Sequence, residues 1–417
     1  MDVNAAGWLN MSEDDRKRTD DGEPDDGTRD DAKGEDRERP TDRQDGDKTA
    51  MQAPRPHDPG LKIRLEEKLG LLDDMRLVGY HGYGTATALH VEGRLIEKKG
   101  EAGEPGDTGL WDNMRTTLRR FESDEIPGAR IRARFRGGEW DTWTDNEGFF
   151  KIDIPLDQPL EGGWHDVDLE VIESLKPDDH PTGTAPVLVP SADVEFAVVS
   201  DLDDTVIRSS ASKTLRKIKV VFENDARSRA AFAGVGAFYH ALVEGADARG
   251  INPIFYVSRS GWNMFDLFDS FLEDKEIPAG PIFLRDLSIK EDKSSALGHE
   301  RHKRDRIRLL MEAYPELSFV LIGDSGQDDP ETYRQLVHHK PGRVRAIYIR
   351  DVSESESRDR EVREIAEELE QRGVPTCLVA DTVEAGEHAV RQGLITEAAL
   401  ERIREAAGES PASQKQV

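Results

Sequence analysis

VVSDLDDTVIRSS (residues 198–210) passes from an apolar segment into three acids within four positions, Asp201, Asp203 and Asp204, and then a threonine. Carboxylates that close repel one another, and burying them costs more than leaving them in water. One reading is a polar turn that follows a strand. The other is a cation and a phosphate held at the strand's end. The context favours a strand buried on both faces. The apolar runs EFAVVS, NPIFYVS, LSFVLIG, VRAIYIR and PTCLVA alternate with helix-like stretches such as VGAFYHALVEGADARG and RDRIRLLMEAY. Continuous β-branched and aromatic runs between helices predict a doubly wound α/β domain with a parallel sheet, over residues 191–407. Ligands of such sheets sit at the carboxyl ends of the strands, where Asp201, Ser258 and Asp324 all fall.

Upstream the texture changes. ALHVEGRLIEK, ARIRARFRGGEWDTWT, FFKIDIP and HDVDLEVIES alternate apolar and polar residues at period two, with turn clusters such as RGG and DNEG between them. This pattern predicts an antiparallel β-sandwich over 76–190. The hairpin-like WDTWTDNEGFFKIDI resembles those of transthyretin-like sandwiches, and 111–122 suits a helix between strands. No nucleophile and base gather there, so its role reads no further than packing or contact with a partner. A short helix is expected over 61–75 (LKIRLEEKLGLL), with leucines on one side and charges on the other. Residues 1–60 and 408–417 are expected to be disordered tails. The first, acidic and almost free of large apolar side chains, cannot offset its ordering entropy by burial.

Composition narrows the function. Over 417 residues the chain carries a formal net charge of −28, with 34% charged residues. That balance disfavours nucleic acid as a partner and requires a local cation to meet any anionic substrate. The single cysteine, Cys377, excludes an internal disulfide framework. Neither a signal peptide nor an apolar run of about 20 residues is visible, so the expected location is cytoplasmic.

Four local features then occur in order: Asp201-Leu202-Asp203-Asp204-Thr205, Ser258, Lys303 on a predicted helix, and the Gly323–Asp329 stretch GDSGQDD. Each suits phosphoryl transfer. A carboxylate at Asp201 can attack phosphorus. Asp203 can protonate the leaving oxygen and later activate water. Ser258 can donate to a phosphoryl oxygen, Lys303 can offset its charge, and Asp324 with Asp201 offers hard oxygen ligands for Mg2+. Each feature alone has a bland reading: a polar loop, a helix cap, a solvated basic face, a Gly-rich turn. The ordered set at strand ends is what favours the chemical one.

The order resembles that of the haloacid dehalogenase superfamily of aspartate-nucleophile phosphatases. The longer words FYVSRSGWNMFDLFDSFL, GPIFLRDL, FVLIGDSGQDDPETY and GRVRAIYIRDV resemble the actin-patch type of Mg2+-dependent phosphatidate phosphatases and their bacterial homologues. The resemblance implies Asp201 as nucleophile, Asp203 as acid/base, Ser258 and Lys303 as catalytic and phosphate-binding, with Arg259 beside them. It implies Asp201, Asp203, Asp324 and Asp329 at the metal, with Asp328 a rival to Asp329. Lys290 and Lys293, in a charged stretch, rival Lys303. Arg259 and Gly261 stand where small polar residues and a proline are expected.

Phosphatidate is the substrate that the resemblance implies. The alternatives are another phosphomonoester, soluble or on a phosphoprotein, and a non-catalytic interaction protein. SKTLRKIKVVF (212–222) joins basic and apolar residues and could make peripheral contact with an anionic membrane. An ordinary amphipathic helix packed on the sheet explains it as well.

Overall fold

In a computed structural model of the chain, residues 74–97, 126–202, 234–247, 252–285, 296–353 and 355–408 are described. The expected tails, the 111–122 helix, Asp203, Lys290, Lys293 and the 212–222 segment lie outside them, apart from Gly408 at the edge of the second tail. Of the helix expected over 61–75 only the last two residues are described, and Met75 already opens a strand.

The apolar run before Asp201 becomes β9 (Ala197–Asp201), and all five of its residues are buried, as a strand covered on both faces requires. It pairs in parallel with β10 (Ile254–Gly261) on one side and β12 (Phe319–Asp324) on the other. β11 (Ile282–Arg285), β13 (Val344–Arg350) and β14 (Thr376–Val379) complete a six-stranded parallel sheet in the order β11-β10-β9-β12-β13-β14. The chain builds outward from β9 in one direction and then returns to build in the other. Strand order therefore reverses between β9 and β12, which opens a crevice at their carboxyl ends.

Seven helices among the described residues cover this sheet: α1 (Val235–Glu244), α2 (Phe265–Asp274), α3 (Ala296–Ala313), α4 (Asp329–His339), α5 (Glu356–Gln371), α6 (Thr382–Arg391) and α7 (Glu397–Ala406). Alternate strand residues serve two cores. Val199, Val257 and Leu321 pack with Ile307, Leu336 and Val362 of α3, α4 and α5. Val198, Tyr256 and Val320 face the layer of α1, α2, α6 and α7, which includes Phe238, Phe268 and Ile403. β11 was not among the expected strands.

β1 (Met75–Gly79), β2 (Gly82–Gly84), β3 (Ala88–Glu97), β4 (Arg130–Phe135), β5 (Gly138–Trp143), β6 (Phe149–Pro155), β7 (Gly163–Glu173) and β8 (Thr182–Val189) form a second sheet, ordered β1-β3-β2-β8-β7-β4-β5 with β6 also on β3. Burial alternates residue by residue along β3, β4 and β6, as the period of two predicts. At the RGG turn Arg136 and Gly137 both have positive φ, the geometry of a tight hairpin. In DNEG the Asp145 carboxylate accepts from the Glu147 and Phe149 amides at 2.9 Å. The sheet is mixed, not purely antiparallel: β2 runs parallel to β8. No short turn joins those two strands, so no local signal could reveal their direction.

Candidate active site

The reversal point holds the acids. β9 ends on Asp201 and β12 on Asp324, and α4 begins on Asp329. One carboxylate oxygen from each lies within 4.8 Å of the others. None of the three residues is more than 6% exposed, so their mutual repulsion is not screened by water. Lys303, on α3 and equally buried, answers part of that charge: its Nζ lies 2.9 Å from Asp201 Oδ1 and also donates to Asp329 Oδ1. The phenol of the neighbouring Tyr333 is pushed well above its ordinary range, by burial first and then by Asp329, Asp201 and Asp324, while its hydroxyl donates to Ile322 O at 2.8 Å. Three hard oxygen donors converging in a buried cluster suit a cation of the Mg2+ kind, so the residues present fit the metal that the sequence implied.

Local structure sets each carboxylate. Asp324 Oδ1 accepts from the Gly326 amide at 2.7 Å, and the Asp324 amide donates to Asp329 Oδ2 at 3.1 Å. Gly323 permits that approach, since a Cβ there would sit 2.3 Å from Asp329 Oδ2. Behind Asp201, the buried Ser200 hydroxyl is paired with Tyr239 OH at 2.7 Å. The two neighbouring acids point in different directions. Asp329 enters the cluster, whereas Asp328 turns toward Arg259, 3.9 Å from its Nη1.

Ser258 lies one residue beyond the Val257–Asp201 register pair, so it is level with the end of β9. β10 continues three residues past it to Gly261, so Ser258 does not close the strand as expected. Its hydroxyl is buried and accepts from the Ser260 amide at 3.0 Å. The structure thus brings together Asp201, Lys303, Asp324 and Asp329, with Ser258 on the adjoining strand and Arg259 linked to the loop that follows Asp324.

Sequence reasoning missed Arg358, near the start of α5. Its guanidinium donates from Nε to Ser325 O (2.9 Å), from Nη2 to Gln327 O (2.6 Å) and Glu331 Oε2 (2.9 Å), and from Nη1 to Glu331 Oε1 (2.5 Å) and Glu361 Oε2 (3.4 Å). ESRDREVREIAEELEQ reads as a charged amphipathic helix, and nothing in it marks one arginine from the others.

Fold and site together define a class: an α/β protein whose parallel sheet carries a buried acidic site, fit for a metal ion, at the reversal of its strand order. Residues 196–351 match the family described as phosphatidate phosphatase APP1, catalytic domain. That segment contains all four sequence features, and through it the chain is similar to the catalytic domain of the actin-patch-type phosphatidate phosphatases. It is 29% identical over 241 residues to Phosphatidate phosphatase APP1 of Saccharomyces cerevisiae, covering 56% of this chain and 37% of that one. To an uncharacterized protein of Schizosaccharomyces pombe it is 24% identical over 249 residues, covering 57% and 39%. The chain spans less than two-fifths of the length of these curated relatives. A carbohydrate acetylesterase from Xanthomonas citri aligns over 79% of this chain and 73% of that one at 12% identity, with a TM-score of 0.26, too low to bear on the fold. Among the described residues no helix is long and apolar enough to cross a membrane.

Proposed function

We propose that the chain is a Mg2+-dependent phosphatidate phosphatase that works through an aspartyl-phosphate on Asp201. In this reading residues 191–407 are a doubly wound catalytic domain of haloacid dehalogenase type, preceded by a β-sandwich over 76–190. The observation that carries it is the convergence of Asp201, Asp324, Asp329 and Lys303 at the reversal of strand order.

Asp201, Asp324 and Asp329 would hold Mg2+, with Asp203 contributing beside them. The ion supplies positive charge that offsets the acids and polarises the phosphoryl oxygens. Asp201 Oδ attacks phosphorus, and the bond from phosphorus to the ester oxygen breaks. Asp203, in its protonated form, gives its proton to the departing oxygen, releasing diacylglycerol. It then takes a proton from water as that water attacks the aspartyl-phosphate, which frees phosphate and restores Asp201. Lys303 and the Ser258 hydroxyl bind the phosphoryl oxygens, and Arg259 exchanges Asp328 for the anionic substrate.

The test is phosphate release from vesicle-embedded phosphatidate, lysophosphatidate and a soluble phosphomonoester, with and without Mg2+. Wild type should release phosphate from phosphatidate only with the metal, and Asp201→Asn, an isosteric and poor nucleophile, should release none while keeping its fold. Near-native release by that variant would refute the mechanism. A preference for the soluble ester would retain the chemistry and reject the lipid.

A further inference from the structure

Asp324 and Asp329 stand at the two ends of one short loop between β12 and α4, so the loop's shape sets the separation of two proposed ligands. That loop is held from outside the cluster. All five N–H donors of Arg358 have partners, and two of those partners are the loop's own carbonyls, Ser325 O and Gln327 O. A third is the carboxylate of Glu331, gripped by both Nη atoms at the start of α4. The same guanidinium therefore ties the middle of the loop to the helix on which Asp329 begins. Ser325 secures the loop's other side. Its Oγ accepts from the Val352 and Ser353 amides at 3.0 and 3.1 Å and donates to Asp351 at 3.3 Å, while its amide donates to Arg350 O at 2.9 Å.

We propose that Arg358 is a positioning residue for the metal: it presets the spacing of Asp324 and Asp329 and so raises the affinity of the site for a divalent cation. This rests on the metal reading given under Proposed function. Arg358 has no part in the chemistry, because its donors are spent on the loop, on α4 and on Glu361 of its own helix. Its planar fork is what the task requires, since one lysine ammonium has three donors at a single point and cannot reach two carbonyls and both oxygens of a carboxylate together. Partners that orient ligands in this way typically change metal affinity 10–100-fold when removed.

The experiment is calorimetric titration of Mg2+, and of Mn2+ as a tighter probe, into the full chain. Wild type should bind, and Asp324→Asn should not. Arg358→Gln and Arg358→Lys should both bind about 10–100-fold more weakly, with kcat at saturating metal within a few-fold of wild type. If Arg358→Gln does not fold, Arg358→Lys, which keeps the charge, decides. Wild-type affinity in a folded Arg358 variant overturns this proposal and leaves the metal reading standing. A fall in kcat with affinity unchanged overturns it as well. A wild-type chain that binds neither ion refutes the metal reading itself, and this proposal with it.

Discussion

Gly323→Ala is the sharpest test of the packing at the acid cluster, because two known effects of opposite sign compete there. Replacing glycine by alanine at a backbone position that alanine can adopt stabilises a protein by about 0.4–1 kcal/mol, through the unfolded chain. The new Cβ would, however, lie 2.3 Å from Asp329 Oδ2, 2.7 Å from its Cγ and 2.8 Å from its Cβ. Ordinary contact begins near 3.5 Å, so the whole side chain must move by about 1 Å. It cannot do so freely. One oxygen is held by Lys303 and the other by the Asp324 amide at 3.1 Å. Losing one such charge-assisted bond costs about 1.5–3 kcal/mol, more than the entropic gain. The net loss should be about 1–2 kcal/mol, or roughly 2–8 °C in the melting temperature of a domain of this size. Calorimetric binding of Mg2+ should weaken in parallel. The decisive measurement is a double-mutant cycle with Asp329→Gly, which removes all three clashing atoms. In that background Gly323→Ala should be neutral or stabilising. An equal loss in both backgrounds, or no loss in either, would refute the reasoning.

Two further outcomes concern the amino-terminal sheet. Asp141 is gripped by Arg132 (2.8 and 3.0 Å) and Arg130 (2.6 Å), and the Arg132 hydrogen bond foremost holds its carboxyl below the ordinary range. A depressed carboxyl contributes stability above its unfolded value of about 3.9, and that stability is lost as pH falls through the folded value. Asp141→Asn should therefore cost about 1 kcal/mol near pH 7, with the deficit closing below about pH 4; a deficit independent of pH in thermal melts would refute the assignment. Tyr80→Ala should cost about 3 kcal/mol, as for other buried aromatics, because Tyr80 stacks on Trp262 and packs at a tilt against Phe265. A melt unchanged from wild type would show that the two sheets do not support each other there.

The parts legible in the sequence were those with local causes. β9, β10, β12, β13 and β14 are continuous apolar runs because both of their faces are covered, and such runs stand out. The period of two in β3, β4 and β6 marks a sheet with one face in water. The parallel β2–β8 contact was not legible, because it arises between segments remote in the chain. The site divides the same way. Asp201 and Asp324 close recognisable strands and Lys303 lies on a recognisable helix. Whether Asp328 or Asp329 turns inward depends on where the first turn of α4 begins, a matter of one residue that composition cannot decide. Arg358 was illegible because its role exists only once α5 is laid beside the loop that follows β12.

The same distinction explains the departure at Gly261. The family resemblance leads one to expect proline there, whose ring would fix φ near −65° and stiffen the chain that leaves Ser258. Gly261 has φ −74° and ψ 160°, a conformation that proline itself could adopt. The restriction is supplied from outside. Immediately after Gly261 the chain enters a single turn of 3-10 helix, Trp262–Met264, and Trp262 stacks on Tyr80 with ring centres 4.6 Å apart and planes 14° from parallel. Phe265, at the start of α2, lies 4.3 Å from the same ring, and Phe149 of β6 flanks the indole. Against the other core Tyr314 donates to Gly84 O at 3.0 Å, and Tyr83 packs on Phe283 of β11. The amino-terminal sheet thus clamps the far end of the segment that carries Ser258 and Arg259. The aromatic contact between Tyr80 and Trp262 thus joins the amino-terminal sheet, whose sequence shows no chemistry of its own, to the residues that directly follow β10.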